Sequence, residues 1–309
     1  MASVGHWFLR NRAYATGVAT TGGSIGGIMF PLIINAAIPA VGFGWAIRIV
    51  GFIALVLLLA GNCLIRARTD IINGTAPSSS NGSVASGKAP SLDGKKRSAF
   101  SAVRIDLTAF KDPRFALTTM GVFMIEWAVF IPITYITSYA LAEGLPSKLS
   151  YELLAVLNVG SVFGRWLPGL VADRVGRFNI MIITICFCMT TVLGLWLPAT
   201  YVANIAGRKA ILIVFCLLYG FGSGSGISLT PVCVGQICTT REYGTKYGTC
   251  YFFVSFATLT GIPIAGQIMA ASGSYAGIIY FTAAAYIGAF VFFGSARYAC
   301  GARTWRAKY

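Results

Sequence analysis

The chain has 309 residues, of which 56% are hydrophobic and only 11% are charged, and its mean hydropathy is +0.74. A soluble domain normally carries about 25% charged residues, so this much apolar side chain would overfill one water-soluble core. The composition predicts a protein whose remaining apolar surface is covered by lipid. Lys and Arg number 24 against 9 Asp and Glu, but they lie between long apolar runs. This placement indicates a membrane face and argues against nucleic-acid binding.

The cysteines and the single histidine do not form a metal-binding pattern. His6 is the only histidine among 309 residues and no Cys-x-x-Cys occurs, whereas a zinc site needs clustered ligands. Buried free thiols are therefore expected. No Ser-His-Asp set or paired-carboxylate site stands out, and the alternating glycines from Gly220 to Gly226 lack the lysine of a phosphate-binding loop. The sequence predicts neither an enzyme nor a bound cofactor.

Eight apolar segments are long enough to cross a membrane, since a spanning helix needs about 20 mostly apolar residues. The first, sixth and seventh are rich in glycine, which membrane helices use for close packing. The chain is thus predicted to be an all-α membrane protein with about eight transmembrane helices. They are expected at residues 13–37, 45–65, 114–140, 150–171, 179–197, 210–232, 247–271 and 275–295.

A polar stretch separates the first two spans from the other six. Residues 66–113 contain a Ser- and Gly-rich run followed by Lys95-Lys96-Arg97, and such a composition cannot bury a core. It predicts a basic, flexible, cytoplasmic linker. The expected organisation is then a two-span unit at 1–65, the linker at 66–113, a six-span unit at 114–296 and a basic cytoplasmic tail at 297–309.

The basic residues predict the orientation in the membrane. With both termini in the cytoplasm, 19 of the 24 Lys and Arg face inward, three face outward and two, Arg48 and Arg165, lie within spans. Cytoplasmic loops of membrane proteins carry such an excess. The sequons at Asn73 and Asn81 are accordingly expected to face the cytoplasm without glycan.

The end of the fourth predicted span carries the pattern Gly169-x-x-x-Asp173-Arg174-x-Gly176-Arg177. It resembles the cytoplasmic loop signature of the major facilitator superfamily, which joins two helices of one half and holds one conformation of the transporter. The chemistry of the residues fits this role. Gly169 permits close helix approach, Asp173 can accept from a helix start or pair with an Arg, and Gly176 permits a tight turn.

Further segments resemble the monocarboxylate-porter group of that superfamily, especially its fungal members. The resemblance implies two halves of six helices each, with the eight spans here matching helices five to twelve and the linker joining the halves. Helices one to four have no counterpart, so residues 1–65 would be a remnant of the first half. The similar segments are Trp7 to Gly17 with Gly22 to Gly27, Gly42 to Arg48, Asp112 to Phe115 and Gly261 to Gly266.

Charged side chains inside a bilayer are costly, so each is a functional candidate. Arg165 sits near the middle of the fourth predicted span, and a guanidinium binds carboxylates through two N–H groups. The resemblance implies that an Arg at this place in helix eight binds the substrate anion. The group often has an Asp one turn earlier for proton coupling, but Ser161 stands there, which argues against coupling by that pair. The alternative is a structural Arg165 paired with Glu126 or a helix end.

Three other polar residues complete the predicted substrate site. Glu126, in mid-span, could carry a proton or balance the charge of Arg165, and these roles do not exclude each other. Asn158 precedes Arg165 by seven residues, nearly two helical turns, so both can share one helix face. Tyr219 lies where the resemblance implies aromatic side chains that shape the pocket, with packing as the alternative.

The leading functional prediction is a secondary transporter that moves a monocarboxylate or other organic anion by alternating access. Its implied partners are the lipid bilayer and a small organic solute, with proton coupling left open, and its implied location is the plasma membrane. One alternative is an efflux transporter for a fungal secondary metabolite. The other is a truncated, non-transporting remnant or an incomplete gene model, since four helices of the implied fold have no counterpart.

Overall fold

The computed structural model describes residues 4, 7, 8, 11–65, 105–240 and 242–301. Over these residues the chain forms seven helices that are long and apolar enough to cross a membrane, and no β-strand. The prediction of an all-α membrane protein is confirmed. The helices are α1 (Arg12–Leu64), α2 (Pro113–Ala142), α3 (Ser147–Val175), α4 (Arg177–Thr191), α5 (Ile205–Gln236), α6 (Tyr243–Ser272) and α7 (Ala276–Ala299). Helix α4 continues through a π-helical turn at Val192–Trp196 and a last helical turn at Leu197–Ala199.

The first two predicted spans form one long element. Helix α1 has 53 residues, or about 80 Å at 1.5 Å per residue, whereas a hydrocarbon core is about 30 Å thick. Its backbone leaves the helical region only at Gly42, where φ is 77° and ψ is 163°. The loop expected at 38–44 is therefore corrected to a one-residue break. Glycine alone adopts this positive φ without strain, so α1 can change direction there and still supply two spans.

Local capping fixes several helix ends. The Asp112 side chain accepts from the backbone N–H of Arg114, and Pro113 occupies the first turn of α2, where its missing N–H is harmless. Asn204 caps α5 in the same way by accepting from Ala206. Helix α6 ends at Gly273, whose φ of 62° is the left-handed conformation common at helix C-termini.

The last part of the expected linker is ordered. Residues 66–104 lie outside the described part of the chain, but Leu107–Lys111 form a short 3₁₀ helix. Phe110 packs edge-on against Phe115 at 5.2 Å and Phe253 at 4.7 Å between ring centroids. This segment differs from the flexible chain expected up to residue 113, because its apolar side chains dock on α2 and α6.

Helices α3 and α5 form the closest contact in the bundle, and glycines make it possible. A Cβ added to Gly164 would lie 1.9 Å from the Phe221 carbonyl oxygen, and one added to Gly220 would lie 1.9 Å from that of Leu157. The Ser225 hydroxyl also donates to the Gly164 carbonyl at 2.8 Å. Small residues of this kind let membrane helices pack backbone to backbone. The α3–α5 pair is thus a rigid platform for the polar residues beside it.

The second part of α1 projects mainly exposed apolar side chains. Phe52 is 60% exposed and Leu58 is 71% exposed. Elsewhere on the bundle Leu259 is 70% exposed. Such large apolar side chains suit a hydrocarbon environment and not water.

Candidate functional site

At one end of the bundle, Asp173 of α3 caps the start of α1. Its carboxylate accepts from the backbone N–H groups of Ala13 and Tyr14 at 3.2 and 3.1 Å. The first N–H groups of a helix lack partners within it and form its positive end, so a carboxylate from a neighbouring helix stabilises that end. Arg177, the first residue of α4, forms a 3.4 Å ion pair with the same carboxylate.

The other motif residues shape this junction. A Cβ at Gly169 would lie 2.8 Å from the Ala13 carbonyl oxygen, so the glycine admits the start of α1. Gly176 separates α3 from α4 with a φ of 117°, a conformation that favours glycine. Arg174 lies exposed in the last turn of α3, where a cation suits the negative helix end.

Further contacts at this end were missed by the sequence analysis. Arg12 is buried, donates to the Gly235 carbonyl at 2.9 Å and lies 4.3 Å from the ring centroid of Tyr243. Arg297 of α7 donates to the Asn179 side chain of α4. These contacts join α1, α5 and α6 on one side and α4 and α7 on the other. The sequence around Arg12 predicts only a basic residue facing the cytoplasm and gives no sign that the side chain is buried.

Arg165 faces α1 from the middle of α3. Its Nη1 donates to the Thr20 carbonyl at 2.7 Å and its Nε donates to Ser161 Oγ at 3.3 Å. Ser161 in turn accepts from Ser24 of α1 at 2.9 Å. A Cβ at Gly23 would lie 3.4 Å from Nη1, so this glycine leaves space for the guanidinium. The half-buried side chain therefore has only neutral partners among the described residues.

Asn158 lies on the same face of α3, two turns away. Its side-chain nitrogen donates to the Leu154 carbonyl at 2.9 Å and reaches the Gly27 carbonyl at 3.4 Å. A Cβ at Gly27 would lie 2.5 Å from Asn158 Oδ1. The structure thus brings Asn158 and Arg165 together against a glycine-bearing face of α1.

Glu126 lies elsewhere, on α2. It is 7% exposed and lines a cavity of about 680 Å³ between α2, α5 and α6. Within the described chain, no Lys or Arg nitrogen lies within 4.0 Å of its carboxylate, and no Asp or Glu oxygen lies within that distance of Arg165. The Arg165–Glu126 ion pair weighed above is therefore not formed in this conformation.

Tyr219 is fully buried in the core of the six-helix unit. Its hydroxyl meets that of Tyr286 at 2.9 Å and donates to the carbonyls of Val129 and Ala128 at 3.2 and 3.3 Å. Its ring stacks on Phe215 with 5.3 Å between centroids. These contacts favour the packing role over the substrate role for this side chain.

Comparisons with known proteins identify the family of this chain. The family model described as Major Facilitator Superfamily matches residues 1–207 of the chain. The chain belongs to the major facilitator superfamily. Proteins of this superfamily are membrane transporters and not enzymes.

Three curated relatives illustrate the range of the superfamily near this chain. The MFS transporter asaE of Aspergillus flavus is 35% identical over 96% of this chain and 60% of its own length. The riboflavin transporter MCH5 of Saccharomyces cerevisiae is 35% identical over 85% of this chain and 49% of its own length. The agnestins efflux protein AgnL12 of Paecilomyces divaricatus is 33% identical over 91% of this chain and 57% of its own length. The chain therefore spans about half to three fifths of the length of these relatives.

Proposed function

We propose that this chain acts in the transport of an organic anion, such as a monocarboxylate, by alternating access, with Arg165 contacting the anion. The observation that carries the proposal is the state of the Arg165 guanidinium. It lies within a membrane span, keeps its charge, and has only a hydroxyl and a carbonyl as hydrogen-bond partners within the described chain. A carboxylate-bearing solute would supply the missing counter-charge through a strong, charge-assisted contact.

The position of Arg165 between α3 and α1 suits alternating access. In the proposed assignment, the two parts of α1 are helices five and six and α2 to α7 are helices seven to twelve. The Arg165–Thr20 contact then crosses the boundary between the two halves, as does the Asp173 cap on α1. A rocking motion of the halves would break and remake both contacts, so anion binding at Arg165 would be linked to the conformation.

Proton coupling is assigned to Glu126 and not to a carboxylate next to Arg165. Ser161 occupies the place one turn before Arg165 and offers only a hydroxyl. Glu126 is the buried acidic side chain that lines the cavity, and a buried carboxyl can hold a proton at neutral pH. Replacing Glu126 by Gln should then remove the pH dependence of uptake while leaving substrate exchange measurable.

Efflux of a larger metabolite is the second candidate function. The cavity beside Glu126, at about 680 Å³, is within the size range that holds drug-sized molecules. The names of two relatives specify riboflavin transport and agnestins efflux. Such solutes are larger than a simple monocarboxylate, and the cavity has room for them.

Uptake of labelled monocarboxylates into proteoliposomes tests the anion role of Arg165. Because hydrogen bonds to charged groups contribute about 1.5–3 kcal/mol, Arg165→Ala should raise KM about tenfold or more. Arg165→Lys should restore part of the affinity, since the charge remains while the two-pronged geometry is lost. Arg48→Ala is the matched control, because Arg48 is an exposed Arg that stacks over Trp45 at 5.0 Å.

Three results would change the proposal in different ways. Full flux in Arg165→Ala would remove the anion role from this residue. Absence of substrate-dependent flux in the unmodified chain, with flux restored when helices one to four of a relative are co-expressed, would assign transport to the completed assembly. Absence of flux in both cases favours the non-transporting alternative.

A further inference from the structure

The cavity beside Glu126, here called the Glu126 cavity, is separate from the surroundings of Arg165. Its walls come from α2, α5 and α6, and none of the residues that contact Arg165 lines it. The two charged residues nevertheless lie at one depth. Ser225 contacts Gly164, the neighbour of Arg165, while a Cβ at Gly226 would meet Ile125, the neighbour of Glu126. One solute at that depth could therefore contact the Arg165 guanidinium or the Glu126 carboxyl group.

The polar groups of the Glu126 cavity are rich in hydrogen-bond acceptors. Glu126 is 7% exposed and has no cationic partner among the described residues. The hydroxyls of Ser255 and Thr258 donate to carbonyls of their own helix, at 2.6 and 3.5 Å, which leaves their oxygens as acceptors. A ligand that hydrogen-bonds to the Glu126 carboxyl group must therefore bring donors, because a buried acceptor without a partner is unfavourable. Ser255 and Thr258 are exposed and can accept from the same ligand.

The remaining walls are apolar and aromatic. Phe130 of α2 and Tyr251 of α6 both line the cavity. The ring of Tyr247 lies 4.6 Å from that of Tyr251, centroid to centroid, and extends the aromatic surface along α6. Aromatic side chains bind flat rings through stacked or edge-on contacts. The volume of about 680 Å³ also suits a small molecule of two or three fused rings.

We propose that the Glu126 cavity recognises a planar aromatic group that carries N–H or O–H donors. The inference rests on the proposed transport function and names a substrate class for it. Glu126 accepts from the donor, and Tyr251 and Phe130 contact the ring. A lipid acyl chain fits the cavity less well, because it would leave the Glu126 carboxyl group without a hydrogen-bond partner. A free carboxylate is disfavoured in this cavity, because no Lys or Arg lies within 4.0 Å of the Glu126 carboxyl group among the described residues, and it belongs at Arg165.

Two ligands with the same ring system, one with free N–H donors and one with both donors methylated, test the proposal directly. Lumichrome is a flat, fluorescent, three-ring molecule with ring N–H groups and no carboxylate, and dimethyl-lumichrome has both N–H groups blocked. Binding to the full chain in nanodiscs is followed by fluorescence anisotropy at a mildly acidic pH, where the ring is neutral. We expect lumichrome to bind about tenfold more tightly, because the hydrogen bond from the ring N–H to the Glu126 carboxyl group is lost on methylation.

Substitutions assign this difference to the cavity. Glu126→Leu should weaken lumichrome binding about tenfold and leave dimethyl-lumichrome unchanged, whereas Glu126→Gln, which keeps an acceptor oxygen, should stay within about threefold. Tyr251→Ala should weaken both ligands through the lost ring contact. Phe256→Ala, which removes a 48% exposed ring from the same helix, is the control and should change neither. Size-exclusion profiles verify that each variant is folded.

Equal affinity for the two ligands would overturn the proposal, and so would unchanged lumichrome binding in Glu126→Leu. A lumichrome signal that disappears when lipid is added in excess would instead identify the cavity as a lipid site. The proposed anion transport is judged independently, because its readout is flux of a monocarboxylate and its decisive residue is Arg165. Lumichrome binding that persists in Arg165→Ala keeps the two proposals distinct.

Discussion

Two polar side chains of the helix bundle, Tyr219 and Arg165, illustrate how the surroundings of a residue separate packing from binding. Tyr219 has three oxygen partners within 3.3 Å and is completely enclosed. Arg165 is half-buried, and its charge meets only neutral groups in the described chain. A satisfied group adds to the stability of one conformation, whereas a charge without a counter-charge attracts a ligand.

Removal of the Tyr219 hydroxyl should therefore affect stability and not transport. Tyr219→Phe deletes three contacts and removes one hydrogen-bond partner of the buried Tyr286 hydroxyl, so we expect a loss of about 1–2 kcal/mol in the free energy of unfolding. The KM for solute should stay unchanged. Thermal unfolding in detergent and uptake kinetics measure the two effects. Tyr298→Phe, at a residue that is 67% exposed, should alter neither, and a raised KM in Tyr219→Phe would restore its substrate role.

Sequence reasoning found the polar residues but could not pair them. The seven-residue spacing placed Asn158 and Arg165 on one face of α3, and both do face α1. Spacing within a helix says nothing about how far each helix is rotated in the bundle, so the Arg165–Glu126 pairing could not be judged. The burial of Arg12 was invisible for the same reason, because it depends on α5 and α6.

At the scale of helices, glycines determine where α1 and α3 touch. A Cβ at Gly17 would lie 2.1 Å from the Arg165 carbonyl oxygen, whereas one at Gly22 would meet nothing within 4 Å. The glycine-rich composition of this span indicated close packing, but both glycines read alike in the sequence. Only the rotation of α1 about its axis distinguishes the contact position from the open one.

The pair Gly17 and Gly22 provides a matched test of this contact. Gly17→Ala places a methyl group against backbone that cannot move aside easily, and overpacking of this kind costs about 1–3 kcal/mol. Gly22→Ala should be neutral or slightly stabilising, because alanine favours the helix and has open space there. Thermal unfolding of the two variants measures the difference. Equal melting temperatures would show that α1 does not pack on α3 as described.

Helix boundaries were predicted less well than helix existence. Helix α3 runs from Ser147 to Val175, beyond the apolar stretch expected at 150–171, because hydropathy detects the part of a helix suited to lipid and not its hydrogen-bonded ends. The π-helical turn at Val192–Trp196 also has no signature in the apolar pattern. The break in α1 fell within the expected loop, since a glycine marks it, but its length of one residue is a matter of backbone geometry.

For the whole molecule, the ends of the bundle differ in what holds them together. One end carries the Asp173 cap on α1, the Asp173–Arg177 ion pair and the buried Arg12. The other end carries Arg208, which pairs with Glu143 at 2.8 Å and also donates to the Val202 carbonyl at 2.7 Å. The end with Asp173 is the one that the distribution of basic residues assigns to the cytoplasm.

Cysteine labelling in intact cells tests this orientation. With 19 basic residues assigned inside and three outside, reversing the chain would move a large positive charge across the bilayer, so one orientation is expected. A membrane-impermeant maleimide should label Lys148→Cys in intact cells and Lys95→Cys only after permeabilisation. The unmodified chain is the control for native thiols, of which Cys238 should react slowly because burial raises its pKa to about 11. The opposite pattern would place Asp173 and Arg177 outside the cell, and the proposed cytoplasmic role of their motif would then be wrong.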